Sequence, residues 1–223
     1  MSKIKLFLVA CLLGMAATAS AQFANSKGSS SNSEASTWQG LRFSYHPMSF
    51  KYDGGGDSEG LTGLSFGYTK GIALSSNVPL FLEVGANILW THKKMDYDYD
   101  NYAYDDEDYD SAESDVLNMF SVNIPVNFGY KFVINDQFSL YPYVGVNFRV
   151  NAFGTYKNEG ESYNIFDKKE MGEAFNRFQA GWQIGVAFNF NKFMLAGSYG
   201  QDFTEISKKV KLSMPSITLG YNF

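Results

Sequence analysis

The chain has 223 residues, 45% of them hydrophobic and 17% aromatic, with 18 Lys and Arg against 23 Asp and Glu. That length fits one domain or one barrel, and an acidic balance without a basic stripe argues against a nucleic-acid partner. The single cysteine, Cys11, lies in the first segment, so the rest of the chain has no disulfide framework, thiol chemistry or thiolate metal site.

Residues 1–21 read as a secretion signal. Lys3 and Lys5 are followed by an apolar run from Ile4 to Ala17, and Ala19-Ser20-Ala21 has the small-x-small form of a cleavage site. Leu8-Val9-Ala10-Cys11 offers a lipoprotein box instead, but a cut there would leave an apolar Leu12–Ala17 tail. Removing the signal takes two Lys and moves the formal charge from −5 to −7. Residues 22–37 are Ser-rich with little to bury, as expected of a flexible lead-in on the periplasmic side.

From Trp38 onward the period is two, the spacing of strands whose side chains alternate between faces. The first strand sets Leu41, Phe43 and Tyr45 against Arg42, Ser44 and His46. Asp53-Gly54-Gly55-Gly56-Asp57 breaks it, and a second follows with Leu64, Phe66 and Tyr68 against Gly63, Ser65, Gly67 and Thr69. The third opposes Leu80, Leu82, Val84, Ala86, Ile88 and Trp90 to Phe81, Glu83, Gly85, Asn87, Leu89 and Thr91. An acidic, Tyr-rich loop spans residues 94–115. The fourth strand carries Phe120 to Tyr130 on even positions, opposite Ser121, Asn123, Pro125, Asn127 and Gly129. After a turn at Asn135-Asp136, the fifth runs from Phe138 to Val150. A second long loop, from Gly154 to about Ala174, precedes the sixth strand, Phe178–Phe190, whose even positions are all apolar and whose odd ones between them are small or amide. Asn191-Lys192 turns into the seventh, and the eighth ends at Phe223. Pro125 predicts a ladder defect. At Pro215 the apolar positions pass from even (Val210, Leu212, Met214) to odd (Ile217, Leu219), which predicts a bulge.

The bulky faces are too uniformly apolar for water, and the opposite faces too thin to fill a large core. Lipid outside and a narrow polar lumen inside reconcile the two. Eight strands with long connections after the first, third and fifth predict an all-β, eight-stranded antiparallel up-and-down transmembrane barrel, closed and without exposed edges.

The leader, the eight alternating strands and the Tyr221-x-Phe223 ending resemble the small outer-membrane β-barrel proteins of Gram-negative bacteria. Residues 38–223 are most similar to the outer membrane protein beta-barrel domain proteins, often labelled porin-family or PorT-like. The resemblance implies an outer-membrane location with both termini periplasmic. It implies lipid, lipopolysaccharide and the barrel-assembly machinery as partners, along with a further extracellular or envelope protein. The assembly signal maps to Ile217, Leu219, Tyr221 and Phe223. The family's glycine five residues before the end is Thr218 here, with Gly220 two later.

An eight-stranded lumen is just wide enough for side chains to fill it, which speaks against a diffusion pore. Its inward charges are Arg42, Glu83, Arg149 and Asp202. By height they pair as Arg42 with Glu83 and Arg149 with Asp202, since buried charges need partners. In the acidic loop, Asp96, Asp98, Asp100 and Glu107 take positions 1, 3, 5 and 12 of an EF-hand-like spacing, with Asn101 where glycine is usual. Composition alone also produces D-x-D-x-D in an Asp/Tyr tract, so no cofactor is expected beyond a Ca²⁺ ion at that loop. The only imidazoles are His46, facing inward above Ser44, and His92, on the outward face beyond Trp90; no triad spacing is legible. A structural or interaction role is therefore expected: envelope integrity, adhesion or service to a secretion complex. Porin-like transport is the alternative, and a lipid-modifying enzyme comes after it.

Overall fold

The computed structural model describes residues 37–55, 59–75, 78–95, 115–158 and 160–223. Residues 1–36 and 96–114, which carry the expected signal and nearly all of the acidic loop, lie outside them. In chain order the elements are β1 (Trp38–Tyr52), β2 (Gly60–Ala73), β3 (Leu80–Met95), β4 (Asp115–Tyr130) and β5 (Phe132–Val133). Then come β6 (Phe138–Asn158), β7 (Glu161–Asn164), α1 (Lys168–Met171), β8 (Phe178–Phe190) and β9 (Phe193–Asp202). The last are β10 (Val210–Ser213) and β11 (Ser216–Asn222). β10 and β11 are two halves of one stave, and β5 and β7 are short additions paired to β6. Eight staves therefore form the wall. β1 pairs β2 on one side and β10 and β11 on the other, so the antiparallel sheet closes.

The alternation fixes the faces. Outward, Phe43 is 49% exposed, Ile88 64% and Leu219 59%; inward, Phe81 and Leu89 are buried. Along β3 the outward apolar positions run from Leu80 to Trp90. At about 3.3 Å per residue and a tilt near 45°, that is a band about 25 Å tall, the thickness of an outer-membrane hydrocarbon core. One end of the barrel, here the turn end, holds Trp38, Phe223 and the connections 74–79, 131–137 and 191–192. The other, the loop end, holds the opposite ends of the staves, among them Tyr52, Gly60, Met95 and Asp115.

Several expectations need correction. β1 and β2 extend toward each other, so the first loop-end connection is residues 53–59, close in length to the connection 74–79. The stretch 154–174 is no plain loop: β6 continues to Asn158, folds back on β7 as a hairpin, and leads into α1. Asp167 caps α1, its side chain accepting the Lys169 amide proton at 2.9 Å.

Pro215 is not a bulge. Tyr45 faces Ile217 and Ser49 faces Ser213, four residues further along both strands, so no residue is inserted between. The even positions of this stave point inward throughout. Leu212 and Met214 are apolar residues of the lumen, and Ile217 and Leu219 belong to the outer face.

The bulge lies instead where β6 crosses β4. Phe120 pairs with Phe153 but Ser121 with Asn151, leaving Ala152 as the extra residue. At Pro125 the expected gap is present: β3 and β4 pair Val84 with Val126 and next Asn87 with Asn123, in unchanged register. A proline without an N–H removes a rung there but inserts nothing.

Candidate functional site in the barrel lumen

Side chains fill the lumen in layers. At the turn end, the Trp38 ring packs on Phe81 at 4.5 Å and edge-on to Tyr141 at 5.4 Å. The Lys131 ammonium, in the turn before β5, sits 5.5 Å from the Trp38 ring centre, and burial holds its pKa below the ordinary lysine value. Gly71 on β2 makes room for this plug, since a Cβ there would lie 2.3 Å from the indole.

Above it lies the lower charge layer. Arg42 on β1 reaches Glu83 on β3 at 3.7 Å, across β2. The inner face of β2 is Gly63, Ser65, Gly67, Thr69 and Gly71, small enough to leave that path open. Glu83 accepts from the Trp38 indole N–H and from the Asn127 amide, each at 3.3 Å. The Asn127 oxygen in turn accepts from Gln183 at 2.5 Å, and Arg42 donates to the Asn222 side chain at 2.8 Å.

The upper charge layer repeats the arrangement. Arg149 on β6 donates to Asp202 on β9 at 2.5 Å, across β8, where Gly181 leaves the space. Only 1% of Arg149 and 6% of Asp202 is exposed. Beside them Ser121, Asn151 and Gln179 form a hydrogen-bonded chain, Ser121 donating at 2.7 Å and Asn151 at 2.5 Å. His46 is buried and shares a 2.9 Å hydrogen bond with Ser65 rather than Ser44. Between the charge layers a cavity of about 70 Å³ is lined by residues that include Ser44, His46, Asn123, Tyr143, Ser198 and Thr218. A space of that size with a polar rim suits a few ordered waters.

The loop end is closed by a layer that the sequence reading missed. Met48, Phe50, Leu61, Leu89, Leu117, Met119, Leu212 and Met214 point inward from five staves and meet Ile165 and Ile206 from the connections above. Each sits on the lumen face of its strand, so the alternation was the signal. Expecting polar residues throughout the lumen concealed it. Buried Asp115, which accepts from Tyr156 and from Asn158 at 2.7 Å, was also missed because it borders the acidic loop.

The structure thus brings Arg42 to Glu83 and Arg149 to Asp202 as two separate pairs. His92 lies on the outer face beside Trp90, sharing a 3.0 Å hydrogen bond with Asn118. Ile217, Leu219, Tyr221 and Phe223 all lie exposed on the outside. Asp96, Asp98, Asp100 and Glu107 fall outside the described residues. Among the described residues no cluster of three His, Cys, Asp or Glu is placed to hold a metal. An apolar groove of about 530 Å³ lies among outer rings that include Phe43, Phe66, Phe188 and Phe193.

The family model described as outer membrane protein beta-barrel domain matches residues 7–223. Among curated protein sequences none matches the chain. Of the solved structures, Ail, the attachment invasion locus protein of Yersinia pestis, is 18% identical, covers 83% of this chain and 98% of its own, and has a TM-score of 0.41. Neisserial surface protein A is 12% identical, with coverage of 84% and 99% and a TM-score of 0.45. The outer membrane enzyme PagL is 9% identical, with coverage of 83% and 99% and a TM-score of 0.46.

Proposed function

The chain belongs to the outer membrane protein beta-barrel domain family, and we propose that it serves the outer membrane as a sealed barrel with a structural or interaction role. The observation that carries this reading is the filled lumen. Among the described residues, two buried ion pairs and an apolar layer at the loop end occupy the lumen. In this reading residues 1–21 direct secretion, and residues 22–37 and both termini lie in the periplasm. Ile217, Leu219, Tyr221 and Phe223 present the assembly signal. The loop end then faces outward and carries the variable contacts, because loops on a rigid scaffold are where binding diversifies. Envelope integrity, adhesion and service to a PorT-like secretion complex are the roles such loops support.

Single-channel recording of the refolded barrel in planar bilayers tests the proposal. Essentially no conductance is expected, and steady openings would transfer the chain to porin-like transport. That second reading draws on a turn-end vestibule of about 240 Å³, lined in part by Trp38, Glu83, Lys131 and Tyr141, which ends at the lower charge layer. An enzyme is disfavoured because His46 contacts Ser65 deep in the lumen, away from the surface where a lipid ester would lie. Asp96, Asp98, Asp100 and Glu107 are the residues that would offer oxygen ligands to Ca²⁺. Calcium titration of the wild type against Asp98→Ala/Asp100→Ala tests them, and equal responses would remove the site.

A further inference from the structure

At the turn end the register gathers hydrogen-bond donors around the vestibule of about 240 Å³. Ser139 and Tyr141 are successive inward residues of β6, and Asn189 on β8 faces Ser139 across the ladder. β5 pairs Phe132 with Leu140 and Val133 with Ser139, so the same register sets Lys131 against Tyr141. All four line the vestibule, beside the Trp38 ring.

Among the described residues the Lys131 ammonium has no carboxylate within 4 Å and rests against Trp38 alone. The Tyr141 hydroxyl is buried without a partner, and only 3% of the residue is exposed. Ser139 is buried as well. The Asn189 side-chain oxygen accepts from Asn222 at 3.2 Å, which leaves the Asn189 NH₂ group as a donor. Glu83 at the floor is engaged by Arg42, Trp38 and Asn127, and the other carboxylate, Asp136, is exposed at the rim. The vestibule is therefore rich in donors and holds a cation whose burial disfavours its charge. An unpaired buried donor and a desolvated cation both cost stability, and an anionic acceptor from outside offsets both.

The donors form two pairs, Lys131 with Tyr141 and Ser139 with Asn189. The pairs lie two residues apart along β6, about 7 Å. An extended acylated dipeptide, at about 3.4 Å per residue, spans the same distance from its carboxylate to its acyl carbonyl. The volume falls below the range of drug-sized pockets, about 300–1,000 Å³, and suits a ligand that small. We propose that the vestibule binds the carboxylate end of a short acylated peptide. The carboxylate accepts from Lys131 and Tyr141, and the carbonyl two residues back accepts from Ser139 and Asn189. The site lies at the end opposite the loop contacts, so it goes beyond the structural or interaction role rather than resting on it.

The test titrates the full barrel, refolded in detergent micelles, with acetyl-alanyl-alanine and with its C-terminal amide. Binding is read from the NMR signals of the three indole N–H groups, Trp38, Trp90 and Trp182. The acid should move the Trp38 signal and leave the two outward tryptophans in place, and the amide should bind at least about tenfold more weakly. Lys131→Gln should lower affinity for the acid about tenfold or more, the worth of a hydrogen bond to a charged group. Lys131→Arg should retain most of it, and Lys192→Gln, in the neighbouring turn, should leave it unchanged. Tyr141→Phe keeps the ring and removes only the hydroxyl, so it should cost about three- to tenfold. It is carried in parallel in case Lys131→Gln folds poorly. No movement of Trp38, equal binding of acid and amide, or undiminished affinity in folded Lys131→Gln or Tyr141→Phe overturns the proposal. Such a result leaves the sealed barrel standing, because conductance tests that reading separately.

Discussion

Asp202→Ala removes the only carboxylate within 4 Å of Arg149 among the described residues, and Arg149 is 1% exposed. Its guanidinium then keeps one short contact, to the Met214 sulfur at 3.2 Å, which is a poor substitute for a carboxylate. An uncompensated buried charge of this kind costs about 3–5 kcal/mol. Replacing both partners by apolar side chains, as in Arg149→Met/Asp202→Leu, removes the charge and its desolvation together. The double variant should therefore be less destabilised than Asp202→Ala alone. Urea unfolding of the barrel in phospholipid vesicles, followed by tryptophan emission, measures both, and the cycle is completed with Arg149→Met and Asp202→Leu. A cost below about 1 kcal/mol for Asp202→Ala, or a double variant whose loss equals the sum of its singles, would refute the buried pair.

The remaining predictions concern the two ends and the two faces. Leu212→Ala opens the loop-end layer and should cost about 2–5 kcal/mol; Leu219→Ala, on the outer face of the same stave, should cost about 1 kcal/mol or less. Equal losses in the same unfolding assay would contradict the uninterrupted register past Pro215. Gly71→Val places a methyl against the Trp38 indole, so acrylamide should quench Trp38 more strongly and stability should fall by about 1–3 kcal/mol. Unchanged quenching would mean that the plug is misplaced. Lys131 has a depressed pKa through burial, so the folded state disfavours its proton, and stability rises with pH between the folded value and the unfolded value near 10.4. Lys131→Met should therefore stabilise the barrel at neutral pH, with the advantage shrinking as pH passes through the lysine range. An advantage that does not change with pH would remove the desolvation argument.

The staves were legible in the sequence because a half-lipid, half-lumen wall imposes strict alternation over its whole height. Phe178–Phe190 shows this most cleanly, since each of its even residues except Ala180 is bulky. What misled was the assumption of a uniformly polar lumen. Leu212 and Met214 looked like a change of phase when they mark a change in the chemistry of the interior. The true phase change lay at Val150–Asn151–Ala152–Phe153, where two consecutive outward apolar residues are three positions apart, and it was passed over as the end of a strand. Beyond that point Thr155, Tyr156 and Lys157 stand above the apolar band, where the environment no longer enforces alternation, so the extension of β6 and its hairpin with β7 left little trace. The lumen charges were identifiable because so few occur on inward positions. Their supporting amides, Asn127, Gln183, Asn151 and Gln179, were not, because amides on a lumen face carry no signal of which partner they meet.

The most direct measurement of the inside-out assignment is the cost of an arginine at Ile184, which is 54% exposed on the outer face of β8 and pairs with Val144 and Tyr199. In bilayer vesicles Ile184→Arg should destabilise the folded barrel by about 2–4 kcal/mol, the penalty for a charge near the midplane, whereas an arginine at Lys94, above the band, should cost about 1 kcal/mol or less. Equal, small effects at the two positions would mean that no lipid surrounds this face, and would contradict the membrane barrel itself.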